Sequence, residues 1–146
     1  MSDRPFLNRV LHSLRLLLFL SVVAGAAETP RPGSPQRKEI LNALRAPVEK
    51  QLEIPVLFRV THLKIENDWA FLKGTPRTKN DEAIDYSKTP LAEEAEVADE
   101  LLVAVLRKTD GQWQVVEHAI FTTDVWWHGI HDRLGAPSSI FEDDEP

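Results

Sequence analysis

The sequence predicts an α+β domain in which an N-terminal helix packs on a curved four-stranded antiparallel sheet made of two hairpins, followed by a short C-terminal helix. One observation is a stripe of apolar residues at helical spacing after Ser34. The others are two later stretches in which apolar and polar residues alternate on either side of a turn sequence. This order is typical of a two-layer arrangement, in which the helix covers one face of the sheet.

The predicted helix begins after Ser34, because a serine oxygen can cap a helix and Pro35 suits the first helical position. The apolar stripe consists of Ile40, Leu41, Leu44, Val48 and Leu52. Pro47 interrupts it, since proline lacks a backbone donor and clashes with the preceding turn. We therefore expect a helix over 35–45 and then a kink or a short second helix over 47–52.

The first predicted hairpin runs from Val56 to Ile65, turns at residues 66–68, and returns over residues 69–74. The second joins residues 101–108 to residues 112–121.

An Asp-Gly pair at Asp110 and Gly111 supplies the turn of the second hairpin, because glycine accepts positive φ at low steric cost. Strict alternation divides the last strand into two faces. One face carries Trp113, Val115, Glu117 and Ala119, and the other carries Val116, His118 and Ile120.

Two further stretches are less regular. Residues 75–98 form a long polar loop, and residues 93–100 favour a short acidic helical turn. After the sheet, a short helix is expected over 125–134, ended by Gly135. We expect the single α+β domain to cover residues 35–141 and an acidic, solvated tail to cover residues 142–146.

The N-terminus has the pattern of a cleavable signal peptide over residues 1–26. Three arginines precede an apolar core over residues 16–24, and small residues follow up to Ala26. Residues 16–27 are twelve in number, short of the roughly 20 that span a bilayer. We expect cleavage after Ala26, with Ala27 as the alternative, a flexible tether over 27–34, and export to the periplasm or the exterior.

Composition excludes several classes of function. The chain has a net charge of −6 and no run of lysine and arginine, so nucleic acid is not an expected partner. It contains no cysteine, which removes disulfides, thiolate chemistry, cysteine-based zinc sites and a lipid-attachment residue. We therefore expect no stable membrane insertion after processing. No cofactor motif occurs, and no cofactor is expected.

The segment Asp110–Val116 (DGQWQVV) and the order of elements resemble the nuclear-transport-factor-2-like and cystatin-like superfamilies over about residues 34–121. Residues 35–45 and 135–141 are also similar to those of a family of exported bacterial proteins of unknown function. The resemblance implies a curved sheet. In the enzymes of this superfamily, the concave face of the sheet carries a His/Asp pair. The superfamily includes isomerases, dehydratases, binding proteins and assembly modules, so it does not select one activity.

Two histidines within predicted strands, His62 and His118, are candidate acid–base groups, because a half-buried imidazole titrates near neutral pH. The carboxylate partner of such a pair would be Asp124 or Glu117. The alternative for each histidine is a hydrogen-bonded structural role. His128 and His131 are candidate metal ligands that would share a face of a helix over 125–134, with Asp124 or His118 as a third ligand. No metal-binding motif supports them, and no metal site is expected.

Three aromatic residues are candidate ligand contacts: Trp126, Trp127 and Tyr86. Together, these features favour a soluble, exported, non-enzymatic binding or accessory module whose partner is a protein, a peptide or a small molecule. The alternative is a cofactor-free acid–base enzyme of the isomerase or dehydratase type, with its His/carboxylate pair in a pocket between helix and sheet. A third possibility is a homodimer that assembles through an open sheet face.

Overall fold

The computed structural model describes residues 25–97, 99–122 and 126–144. The main elements are helix α1 (Pro35–Leu52) and strands β1 (Leu57–Glu66), β2 (Trp69–Arg77), β3 (Leu102–Thr109) and β4 (Gln112–Ile120). Short helices α2 (Ala92–Ala95) and α3 (Ile130–Leu134) and 3-10 turns at Tyr86–Lys88 and Ser138–Phe141 complete the fold. The predicted α+β class is confirmed. Within the described ranges, no helix combines the length and apolar character that crossing a membrane requires.

Helix α1 continues through Pro47, so the predicted end at residue 45 and the separate second helix over 47–52 are wrong. The side chain of Ser34 caps its first turn by accepting a hydrogen bond from the Arg37 backbone N–H. Its buried residues lie on both sides of the proline: Ile40, Leu44, Val48 and Leu52. Packing of this stripe against the sheet offsets the local cost of the proline, since tertiary contacts dominate helix stability.

Both predicted hairpins are confirmed in a sheet of order β1-β2-β3-β4. Asn67 and Asp68 turn the first hairpin with φ values of 48° and 62°. Asp110 and Gly111 turn the second with 51° and 77°. Two successive residues with positive φ are the geometry of the two-residue turn that matches the twist of paired strands.

Each outer strand contains a bulge that changes which residues face α1. In β1 the register shifts between Val60 and His62, so Val60 and Leu63 both pack on the α1 side. In β4 the shift falls at Val116. The predicted faces of β4 are therefore wrong beyond that residue, because one unpaired residue reverses the alternation.

Gly74 on β2 makes the β1 bulge possible. A Cβ atom at this position would lie 2.6 Å from the Arg59 carbonyl oxygen and 3.2 Å from the Val60 Cα. Real Cβ atoms do not approach a backbone so closely, so β1 can bend against β2 only where the side chain is absent.

The two faces of the sheet bury separate apolar clusters. The first face packs against α1 and also receives Ile84 and Tyr86 from the long loop between β2 and β3, which begins after Arg77 and not at residue 75 as predicted, because pairing with β1 continues to Arg77. The second face, which points away from α1, centres on Phe71, Val103 and Val105. It is covered by residues 126–144, which we call the C-terminal segment, with Ile130 and Ile140 contributing buried side chains.

Both flanking segments expected to extend into solvent contact the domain. Glu28, within the predicted tether, exchanges two backbone hydrogen bonds with Ile65 on β1, at 2.9 and 2.8 Å. Asp143 and Asp144, within the predicted tail, form ion pairs with lysines on the sheet. Helix α3 covers Ile130–Leu134 and is capped by Gly135 (φ 72°), as predicted for its end. It begins later than the predicted start at residue 125, which lies outside the described residues.

Candidate functional site

His62 lies on the second face of the sheet, buried beneath the C-terminal segment. Its Nε2 is 2.7 Å from the Ile140 carbonyl oxygen, and its Nδ1 is 3.4 Å from Asp143 Oδ1. Burial lowers the pKa of His62, because the charged imidazolium loses hydration. The carbonyl can only accept, so Nε2 carries a proton and donates to it. Both ring nitrogens therefore face groups of the protein's own C-terminal segment.

His118 lies on the opposite face from His62, so the structure does not bring the two candidate catalytic histidines together. The His118 Nε2 is 3.1 Å from Gln51 Oε1 on α1, and burial lowers its pKa. Glu117, one of its two predicted partners, points to the second face because of the bulge at Val116.

The Glu117 carboxylate binds Arg133 through two hydrogen bonds of 2.5 and 2.8 Å. These hold the pKa of Glu117 below its usual range. The other predicted partner, Asp124, lies outside the described residues.

Tyr86, a candidate ligand contact, lies in the apolar core of the first face with 5% of its surface exposed. Its ring packs edge-on against Phe121, with the centroids 4.7 Å apart. Burial raises the pKa of Tyr86 to about 12. The structure therefore places this ring where it stabilises the long loop and is not open to solvent.

Trp127 lies at a groove on the surface of the C-terminal segment. The groove has a volume of about 300 Å³ and is lined by Trp127, His128, Gly129, His131, Ser138, Phe141 and Glu142. We call it the aromatic groove. Trp126 packs against the apolar cluster of the second face and is not part of the lining.

The aromatic lining of the groove rests on the sheet. The Trp127 and Phe141 rings lie 5.6 and 4.6 Å from the ring of Phe71, centroid to centroid. Lys73 Nζ lies 5.2 Å from the centre of the Trp127 ring, within cation–π distance. These contacts hold the two rings in place before any ligand arrives.

His128 and His131 both line the groove, but the predicted shared helical face is wrong. Helix α3 begins at Ile130, after His128, because Gly129 adopts φ 76° and ends the preceding turn. His131 Nε2 lies 3.3 Å from Asp132 Oδ1. Among the residues that the structure describes, no group of three or more histidine, aspartate or glutamate side chains is arranged to hold a metal ion.

A group of basic side chains on the second face was missed in the sequence. His62, Lys64 and Lys73 lie together there, and we call them the basic cluster. Lys64 Nζ lies 2.9 Å from Asp144 Oδ1, and Lys73 Nζ lies 2.5 Å from Asp143 Oδ1. The alternation of His62 and Lys64 with apolar residues was visible in the sequence, but their counter-charges are about 80 residues away.

The chain was compared with models of protein families, with curated proteins and with solved structures, and none of the three comparisons gave a match.

Proposed function

We propose that this protein is a small, soluble, exported binding or accessory module that holds its ligand at the aromatic groove. One observation carries the proposal: Trp127 and Phe141 form a preassembled aromatic surface beside the imidazoles of His128 and His131. Rigid aromatic side chains bind with little loss of conformational entropy, and nearby polar groups orient the ligand.

The contacts of the other two histidines support a role without catalysis. A general base needs a nitrogen that faces its substrate. His62 Nε2 donates to the Ile140 carbonyl and its Nδ1 faces Asp143 of the C-terminal segment, and among the described residues His118 pairs with the Gln51 amide. The cofactor-free enzyme and the homodimer are the rival proposals.

Export and the superfamily resemblance belong to the same proposal. The pattern over residues 1–26 supports removal of a signal peptide after Ala26, which leaves a cysteine-free chain suited to any redox compartment. The order of one helix followed by two hairpins agrees with the nuclear-transport-factor-2-like and cystatin-like resemblance. The intact mass of native protein should correspond to a chain beginning at Ala27. A mass that includes Met1 would contradict export by this route.

The groove is tested with two histidine variants that make the same chemical change on different faces. Arrays of peptides, glycans and small molecules are screened with the wild-type protein, and each binder is then titrated by calorimetry. His128→Ala should weaken binding at least tenfold, whereas His118→Ala, the control, should leave it unchanged.

Two results would overturn the proposal. One is a set of binders whose affinity is insensitive to His128→Ala. The other is turnover of any substrate that disappears in His62→Ala or His118→Ala, which would favour the acid–base enzyme. Light scattering on the same samples separates a monomer from the proposed alternative of a homodimer.

A further inference from the structure

Two lysine side chains are packed into the second face of the sheet with little access to solvent. Lys64 on β1 is 12% exposed and Lys73 on β2 is 15% exposed. A lysine side chain packed in this way is favoured by a nearby counter-charge, because burying an unpaired charge is costly. The carboxylates that pair with them, Asp143 and Asp144, come from the last residues of the described chain.

The two sides of these ion pairs differ strongly in burial. The Asp143 and Asp144 side chains are 73% and 80% exposed, and both follow the 3-10 turn that ends at Phe141. An exposed carboxylate in an irregular segment contributes little to stability, since it stays hydrated and loses side-chain entropy when it pairs. The lysine side chains are thus packed against the sheet, whereas the aspartate side chains remain largely in contact with solvent.

An open cavity lies beside the basic cluster. A cavity of about 270 Å³ is lined by Thr29, Thr61, His62, Leu63, Lys64, Asp143 and Asp144. The Thr61 hydroxyl donates to the Lys73 carbonyl oxygen at 3.2 Å. Among the described residues that line this cavity, Asp143 and Asp144 are the acidic ones. An acidic occupant would therefore meet the Lys64 ammonium in this cavity once those aspartates withdraw.

We propose that the basic cluster is a docking site for an acidic peptide segment of a partner protein, and that Asp143 and Asp144 occupy it as an intramolecular competitor in the free protein. The present occupant is itself a peptide with two consecutive aspartates, each pairing with a different lysine. A partner segment with neighbouring carboxylates reproduces both pairs. It places one carboxylate on Lys73 beside His62 and the other on Lys64.

The proposal goes beyond ligand binding at the aromatic groove and connects the two sites. Phe141 and Glu142 line the groove and immediately precede the tail aspartates. Lys73 contacts both Asp143 and the Trp127 ring. When an acidic partner displaces the tail, the wall of the groove formed by these residues changes with it.

The test uses the full chain and a fluorescently labelled peptide with the sequence of residues 142–146. Binding is measured by the fluorescence anisotropy of the peptide. Asp143→Asn/Asp144→Asn removes the competing charges. The matched control is Asp68→Asn/Asp110→Asn, which makes the same change in net charge at two exposed hairpin turns where asparagine is equally suited. The tail variant should bind the peptide at least tenfold more tightly than the wild type and the control do. Adding Lys64→Gln and Lys73→Gln to it should abolish binding.

Equal peptide affinity in the tail variant and the control would overturn the proposal. Inorganic phosphate is titrated in parallel, and displacement of the peptide by equimolar phosphate would overturn it in favour of a small-anion site. If the lysine substitutions prevent folding, the binding site is mapped instead by NMR, from the chemical-shift changes of backbone amides when the peptide is added to the tail variant. Peptide-induced shifts must then centre on residues 61–64 and 73, and shifts centred elsewhere would refute the site. These outcomes are independent of His128→Ala, which tests the groove.

Discussion

Replacing Ile140 with alanine tests whether the C-terminal segment is an integral part of the fold. Ile140 lies in the 3-10 turn Ser138–Phe141, outside the sheet and the main helix. In the structure it is fully buried in the cluster of the second face, and its carbonyl oxygen is the partner of His62. The variant Ile140→Ala keeps the carbonyl and removes only the apolar side chain beyond Cβ.

The expected loss follows from the atoms removed. Three carbon groups leave a fully buried position, which at about 0.8 kcal/mol for each CH₂ gives roughly 2.4 kcal/mol. A cavity between the C-terminal segment and the sheet adds to this, and measured losses for such changes are about 2–5 kcal/mol. We expect the free energy of unfolding to fall by about 3 kcal/mol.

Urea denaturation followed by tryptophan fluorescence and circular dichroism measures this loss. With a denaturant dependence of about 1.5–2 kcal/mol per molar, the midpoint should fall by about 1.5–2 M. Val97→Ala is the control, because Val97 is 87% exposed and should change stability by less than about 0.5 kcal/mol. If Ile140→Ala were as stable as this control, the C-terminal segment would not cover the sheet, and both proposed sites would fail with it.

Three further predictions use the same denaturation assay. Gly74→Ala should cost about 1–3 kcal/mol, because the new Cβ overlaps the Arg59 carbonyl; an unchanged midpoint would contradict the close approach of the strands. Pro47→Ala should stabilise the protein by about 1–2 kcal/mol, because the helix gains a backbone donor. The greater freedom of the unfolded chain offsets part of this gain. A lower free energy of unfolding in the variant would show that the proline ring packs favourably. Burial lowers the pKa of His62, so the unfolded chain takes up its proton more readily, and stability should fall as the pH drops below the ordinary value of 6.5. His62→Gln should flatten this dependence between pH 7.5 and 5, and a slope equal to that of the wild type would refute the assignment.

Local signals in the sequence were sufficient for the elements of the fold. The cap at Ser34 and the turn at Asp110 and Gly111 act within a few residues, so their effects can be read from neighbours in the chain. The second helix predicted after Pro47 was wrong because the proline rule is also local. It does not include the apolar contacts that α1 makes along its buried face.

The candidate site was predicted only in part. Trp127, His128 and His131 are neighbours in sequence and do lie at one groove. Phe141 and Glu142 complete that groove from the other side of α3, and no periodicity links them to Trp127. Tyr86, in a polar loop, was expected to contact ligand, yet its ring is held in the core by a packing partner 35 residues away, Phe121.

The sequence by itself determined the α+β class, the helix, the two hairpins and their turns, because hydrophobic periodicity and turn chemistry depend on near neighbours. The tertiary structure alone decided which way β4 faces beyond Val116, since one unpaired residue reverses every later side chain. It also decided that the acidic tail returns to Lys64 and Lys73 on the sheet. Ion pairs between residues about 70–80 positions apart depend on how the whole chain packs, and no local pattern encodes that distance.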